Sequence, residues 1–320
     1  MKTSHLVAAI FMTTLALSAC TSTETSEPSA QQEPETLVER LVPPPTFVDS
    51  KGRLIAMGDV HGDYEATINA LKLAGAIDDS LTWIGGDLTI VQTGDQLDRG
   101  DGERAILDLF ERLADEAHQA GGAFYSLLGN HETMNVELDL RYVTPGGYVD
   151  FADIPYDETD PLISSYPESE RGRVAAFRPG GPYAEILAGH NVVMVVDDTV
   201  FVHGGILPAH VTYGLERINQ EVQAFFQGTM TFPRIMESSE SPVWSRHYSD
   251  ETGADECALL EETLNALSAS KMVVGHTVQR FGITSACNSQ VWRIDVGMAA
   301  YYDGSISVLE IVGDEVRILQ

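Results

Sequence analysis

Six side chains of the kinds that bind divalent metals recur along this 320-residue chain: Asp59, His61, Asp95, Asn130, His203 and His276. Each stands beside a glycine and just after a short apolar run, the layout of a strand ending in a tight turn that presents a polar group. Mn, Fe and Zn accept this mixture of carboxylate, imidazole and amide-oxygen ligands. Asp59 and His61, two residues apart in an extended turn, can face the same side and, with Asp95, form one metal site. Asp95 can then bridge to a second site completed by Asn130, His203 and His276. A water shared by two such ions loses a proton near neutral pH and is placed for in-line attack, as in two-metal hydrolases. Polar residues that merely terminate strands would account for the neighbouring glycines but not for this ligand set.

Three further residues extend the chemistry. His131 directly follows the ligand Asn130, which puts it near the metals without making it a ligand. Once protonated, it can donate to a leaving oxygen, and Asp98 can hold its tautomer and keep its pKa up. Arg99, four residues beyond Asp95, offers a planar fork to phosphate oxygens. Arg246 is the candidate for a second fork, although Arg178 and Arg280 also flank site-like loops, and a surface ion pair would explain any of the three. His5, His118, His190 and His210 read as helix-end, helix-face or leader residues. His247 stays open because it adjoins Arg246.

These groups need a scaffold that brings strand ends together. Leu54–Met57, Leu88–Thr93 and Ala123–Leu128 read as buried strands. Helical spacing separates them, at Tyr64, Ile68 and Leu71 and again at Ile106, Leu109, Phe110 and Leu113. The order strand, helix, strand, helix, strand implies a parallel sheet with its site at the carboxyl edge. Residues from 133 to about 182 break that rhythm with prolines, paired glycines and aromatics, and read as an inserted lid or binding element, or else a surface excursion. Val192–Val196 and Val200–Val202 predict a hairpin leading to His203. Helices are expected at about 215–226 and 259–267, a strand at 271–274, and closing strands at 291–296, 305–312 and 315–319. The second half is therefore expected to build a second sheet facing the first, an α/β/β/α sandwich within a single domain spanning 46–320.

Composition narrows the partners. Lys and Arg number 19 against 48 Asp and Glu, a net charge of −29, which repels polyphosphate backbones and argues against nucleic acid. An anionic substrate would need local positive charge from metal ions and a few arginines. The acidic excess itself fits solubility or a salty exterior. Residues 1–20 have the form of an export signal, with a basic Lys2 and an apolar core too short for a comfortable membrane span. Leu17-Ser18-Ala19-Cys20 is similar to a bacterial lipobox, which implies lipidation of Cys20. Thr21 after it implies a periplasmic protein on the outer membrane, touching lipid only through that anchor. Residues 21–45 are polar and proline-containing and read as a disordered tether. Cys257 and Cys287 remain, either as one disulfide or as two buried thiols.

GDVHGD at 58–63, GDQLDRG at 94–100, GNHE at 129–132, HGG at 203–205 and GHT at 275–277 resemble the signature set of the metallophosphoesterases of the phosphoprotein phosphatase (PPP) superfamily. GDQLDRG in place of GDYVDRG, with GNHETM, PVWSRHY, VVGHT and RIDVGM, is similar to the Shewanella-like protein phosphatases. The resemblance spans residues 53 to 312. It implies a β-sandwich flanked by helices, two divalent metal ions (Mn, Fe or Zn), and hydrolysis of phosphomonoesters without a phosphoenzyme. It also implies a phosphorylated protein or small phosphomonoester as substrate, with a preference for phosphotyrosine. A diadenosine-polyphosphate or nucleotide hydrolase would use the same centre, and a non-catalytic phosphate-binding module is the reading from another class.

Overall fold

The structure is a computed structural model in which residues 43–320 are described; the expected export signal, Cys20 and all but the last three residues of the expected tether lie outside the described residues. In chain order the strands are β1 (Phe47–Val48), β2 (Leu54–Met57), β3 (Thr89–Gln92), β4 (Ala123–Ser126), β5 (Val193–Val196), β6 (Thr199–Val202), β7 (Lys271–Val274), β8 (Thr284–Ala286), β9 (Val291–Arg293), β10 (Val308–Val312) and β11 (Glu315–Leu319). The helices are α1 (Tyr64–Leu73), α2 (Glu103–Ala120), α3 (Asn130–Val136), α4 (Pro145–Val149), α5 (Pro161–Ser164), α6 (Arg171–Phe177), α7 (Pro182–Leu187), α8 (Pro208–Tyr213), α9 (Leu215–Phe226) and α10 (Ala254–Leu267).

Two mixed sheets result, one ordered β11-β10-β2-β3-β4 and the other β1-β5-β6-β7-β9-β8. The expected parallel run β2-β3-β4 is present, as is the antiparallel β5–β6 hairpin. Side-chain alternation divides the core. Met194, Val196, Phe201 and Val273 pack with Ile55, Ile90 and Phe124 in one cluster. Their strand neighbours Val193, Val195, Val200, Val202, Met272 and Val274 pack with residues of α6, α7, α9 and α10 in another. A period of two along each strand requires this split once both faces are covered.

The assignment of the closing strands is corrected. Residues 308–319 join the first sheet, with β10 antiparallel to β2, and β1 from the start of the domain joins the second. β-Branched runs carry no label for the edge they will pair with, and here the open edge of β2 takes up β10. Residues 133–182 are also more than a surface excursion. Phe151, Ile163, Val174 and Phe177 are buried in the core, so this stretch is a helical layer of the domain. The Pro44 carbonyl accepts from Asn191 Nδ2 at 2.9 Å.

Candidate metal centre

Strand ends deliver the six ligand candidates to one buried place. Asp59 follows β2, Asp95 follows β3, Asn130 opens α3 after β4, His203 follows β6 and His276 follows β7. The loops lock to one another through the backbone. Val60 and His61 donate to the Asp95 carbonyl at 3.1 and 3.0 Å, and the His276 amide donates to Asp59 Oδ2 at 3.1 Å. His61, Asp95, Asp98, Arg99 and His276 all have positive φ, between 44° and 71°, the kind of backbone strain that concentrates at functional sites. Gly94 and Gly129 permit the close approach of the Asp95 and Asn130 loops, because a Cβ on either would collide with the other loop.

Glu132 organises the turn that carries Asp95. Its Oε2 accepts from the amides of Asp95 (2.8 Å) and Gly129 (2.6 Å), and its Oε1 from those of Gln96 (2.8 Å) and Leu97 (3.2 Å). Asp95 Oδ1 in turn accepts from the His131 amide at 3.0 Å. Its other oxygen, Oδ2, faces His61 Nε2 at 3.6 Å and His203 Nε2 at 3.2 Å. One carboxylate oxygen between two imidazoles is placed where it would be shared by two cations, if both were bound.

The donor set fits divalent cations by its own chemistry. His61 Nδ1 lies 3.1 Å from the Leu97 carbonyl and His203 Nδ1 lies 3.0 Å from that of Thr93, which assigns the proton to Nδ1 in both. The Nε2 lone pair of His203 then points at Asp95 Oδ2 and at Asn130 Oδ1, 3.0 Å away. Acceptors aimed at acceptors repel unless a cation stands among them. His61, Asp95 and His131 form one group with metal-ligand spacing, and Asp95, His203 and His276 another. Asp59 lies 4.0 Å from His61 on the first side. His276 Nδ1 lies 3.1 Å from His203 Nε2 on the second.

Electrostatics follow from burial and crowding. Burial, then the charges of Asp295 and Asp95, raises the Asp59 carboxyl well above its ordinary value. Burial opposes ionisation of Asp95, yet the surrounding histidines hold it well below the usual range. Burial pulls His61 down to about 4, and burial with the neighbouring His203 and Arg246 pulls His276 down to about 2, so both are neutral and suited to ligation. His131 behaves differently. Burial lowers it, but Asp95 and Asp98 outweigh burial and raise it above the ordinary histidine value. Its Nδ1 sits 2.5 Å from Asp98 Oδ2, and its Nε2 lies 3.9 Å from Asp95 Oδ2, facing the site.

Arg99 approaches from the His131 side. Its guanidinium lies 4.0 Å from the Tyr142 ring centre and 4.8 Å from that of Tyr301, and its Nε has no partner among the described residues. Arg246 approaches from the other side, donating to the His276 carbonyl at 3.2 Å and to Thr277 Oγ1 at 2.6 Å. Arg178 instead pairs with Asp160 at 2.5 Å, and Arg280 is exposed. His118 is exposed, His190 pairs with Glu111 at 2.7 Å, and His247 lies 3.7 Å from Glu240. Cys257 and Cys287 are joined in a disulfide with Cα atoms 5.3 Å apart. Sequence reasoning gave no role to Glu132, Asp295, Tyr142 or Tyr301. Glu132 and Asp295 stand inside quoted motifs, whereas the two tyrosines meet Arg99 from segments more than 150 residues apart.

A two-sheet sandwich that converges carboxylates, histidines and an amide on one buried carboxylate oxygen defines a metal-dependent phosphoesterase. Residues 52–280 match the family of calcineurin-like phosphoesterases. A protein named Shewanella-like protein phosphatase 2, from Arabidopsis thaliana, is 42% identical over 308 residues, covering 86% of this chain and 79% of that one. An uncharacterised protein of Schizosaccharomyces pombe is 32% identical over 267 residues, covering 80% and 76%. Among solved structures, the cold-active protein-tyrosine phosphatase of a psychrophilic Shewanella superposes with a TM-score of 0.72 at 23% identity, covering 89% and 85%, which speaks to the fold. The chain belongs to the calcineurin-like phosphoesterases and, within them, to the Shewanella-like protein phosphatases.

Proposed function

We propose that the protein removes phosphate from phosphotyrosine in proteins, with Asp59, His61 and Asp95 holding one divalent ion, Asp95, Asn130, His203 and His276 the other, and His131 acting as general acid. The observation that carries the substrate reading is the aromatic rim. Tyr142 lies 5.2 Å from His131, Tyr302 5.3 Å from His61 and Trp244 5.7 Å from His276, while Tyr301 flanks Arg99. Flat apolar walls around a phosphate position favour an aryl ester over a short alkyl one. The name of the Shewanella structural neighbour points the same way.

When bound, the two ions supply Lewis-acid polarisation of the phosphoryl oxygens and activation of a water. Mn, Fe or Zn would suit these ligands. Arg99 and Arg246 bind and orient the phosphoryl group from opposite sides, offering paired N–H donors. A new P–O bond forms as the bond to the leaving oxygen breaks. Nε2 of His131 gives its proton to that oxygen, while Nδ1 keeps its hydrogen bond to Asp98. The phenolic oxygen of tyrosine, with a pKa of roughly 10, needs this proton near neutral pH.

The lipobox and Thr21 support a periplasmic enzyme anchored to the outer membrane through lipid on Cys20. The test of function is phosphate release from phosphotyrosine peptide, phosphoserine peptide, nucleotides and diadenosine tetraphosphate under Mn²⁺. The phosphotyrosine peptide is expected to lead. Nucleotide released from the dinucleotide as the dominant product would overturn the reading. Replacing His131 tests the acid: His131→Asn should keep both metals and lose roughly 10²–10⁴ in kcat. The loss should be smaller on 4-nitrophenyl phosphate, whose leaving group needs no proton. Loss of a metal, or an equal loss on both substrates, would withdraw the assignment.

A further inference from the structure

Arg173 is fully buried at 0% exposure, in α6 of the 133–182 layer, far along the chain from any motif. Its guanidinium spends its donors on groups that hold Asp98. Nε and Nη2 donate to Asn135 Oδ1 at 3.0 and 2.8 Å, and Nη2 also donates to Glu103 Oε1 at 2.9 Å. Nη1 bonds Glu103 Oε2 and the Gly147 carbonyl, the latter at 2.9 Å. Both partners reach Asp98. Asn135 Nδ2 donates to Asp98 Oδ1 at 3.1 Å and to the His131 carbonyl at 2.9 Å, and Glu103 Oε1 accepts the Asp98 amide. Arg173 Nη2 itself lies 3.5 Å from Asp98 Oδ1.

We infer that Arg173 is a positioning residue for catalysis, acting through Asn135 and Glu103 on Asp98 and thereby on His131; this rests on His131 being the general acid. The physical case is one of cost. Burying a cation with two carboxylates is expensive, and well-packed apolar residues often serve stability as well or better. Without Arg173, Glu103 and Asp98 would be two neighbouring like charges out of water, and Asp98 would turn away or take up a proton. Either change frees the His131 ring that Asp98 aims. Arg173 therefore reaches the reaction from behind the acid, through hydrogen bonds and not through substrate.

The experiment uses Asn135→Ala and Arg173→Lys in the full-length metal-loaded enzyme, since Arg173→Met could simply fail to fold. Lysine keeps the charge but cannot reach Asn135 and Glu103 together. Both variants should keep their metal content and lose roughly 10- to 100-fold in kcat on phosphotyrosine peptide, the usual cost of removing an outer hydrogen-bond partner. The loss should shrink on 4-nitrophenyl phosphate. In a His131→Asn background, neither change should cost further rate, because the group it positions is gone. Equal losses on the two substrates, or losses that multiply in that background, would overturn the inference and leave Arg173 as a structural strut. His131→Asn measured alone separates this failure from failure of the acid assignment, since only the latter removes its own leaving-group dependence.

Discussion

Glu132→Gln replaces one oxygen of a carboxylate that accepts four backbone N–H groups, two on each oxygen, at 2.6–3.2 Å. The amide keeps one acceptor oxygen and turns an NH₂ toward the other two donors. Two hydrogen bonds to a charged acceptor are lost, each worth about 1.5–3 kcal/mol, or about 3–6 kcal/mol together. Part of this is offset. Burial, then the charge of Asp95, holds the Glu132 carboxyl above its ordinary value, so the native ion carries a penalty the amide avoids. The lower end, about 3 kcal/mol, is therefore the expected cost. With an unfolding entropy of about 2.1 cal/mol/K per residue over about 280 described residues, this is a drop in Tm of about 5 °C. The same change loosens the turn that places Asp95 between the two sites, so metal affinity should fall roughly 10- to 100-fold. The assays are thermal unfolding with and without chelator, and elemental analysis after dialysis against graded metal. An unchanged Tm together with full metal retention would refute the claim that Glu132 builds the Asp95 turn.

Removing the disulfide with Cys257→Ser and Cys287→Ser releases a link across 30 residues, worth about 3.6 kcal/mol on the loop-entropy model; equal denaturant midpoints for the oxidised protein and the double variant would contradict it. His210 Nδ1 accepts from the Leu207 amide at 3.0 Å, and burial lowers the ring to about 4. Its stabilising contribution is therefore complete above the unfolded value of about 6.5 and is lost as pH falls toward 4, by up to about 3 kcal/mol. His210→Gln should flatten that part of the stability profile, and an unchanged acid limb would rule the group out. Cys20→Ser should release the protein from the membrane fraction or leave it unprocessed; unchanged partitioning with no acyl mass on Cys20 would exclude the anchor.

The clustering of the candidate metal ligands is legible in the chain because their residue types are scarce and their turns local. An Asp or His one step beyond an apolar run and beside glycine can be placed at a strand end without knowing any other part of the fold. The same holds for His131, tied by adjacency to Asn130, and for the parallel β2-β3-β4 run, whose intervening helices set its direction. What the order of residues could not state is which distant segments meet. The His276 amide donates to Asp59 across 217 positions, and Tyr142 and Tyr301 close on Arg99 from different halves of the chain. Strand partition was hidden for a related reason. β10 and β11 are β-branched runs like β5 and β6, and only packing decided that they extend the first sheet. Arg173 had no local signal at all. An arginine among small and apolar residues on a short helix reads as exposed, and only a folded layer that surrounds it with Glu103, Asn135 and Asp98 makes its burial tolerable and gives its charge a use.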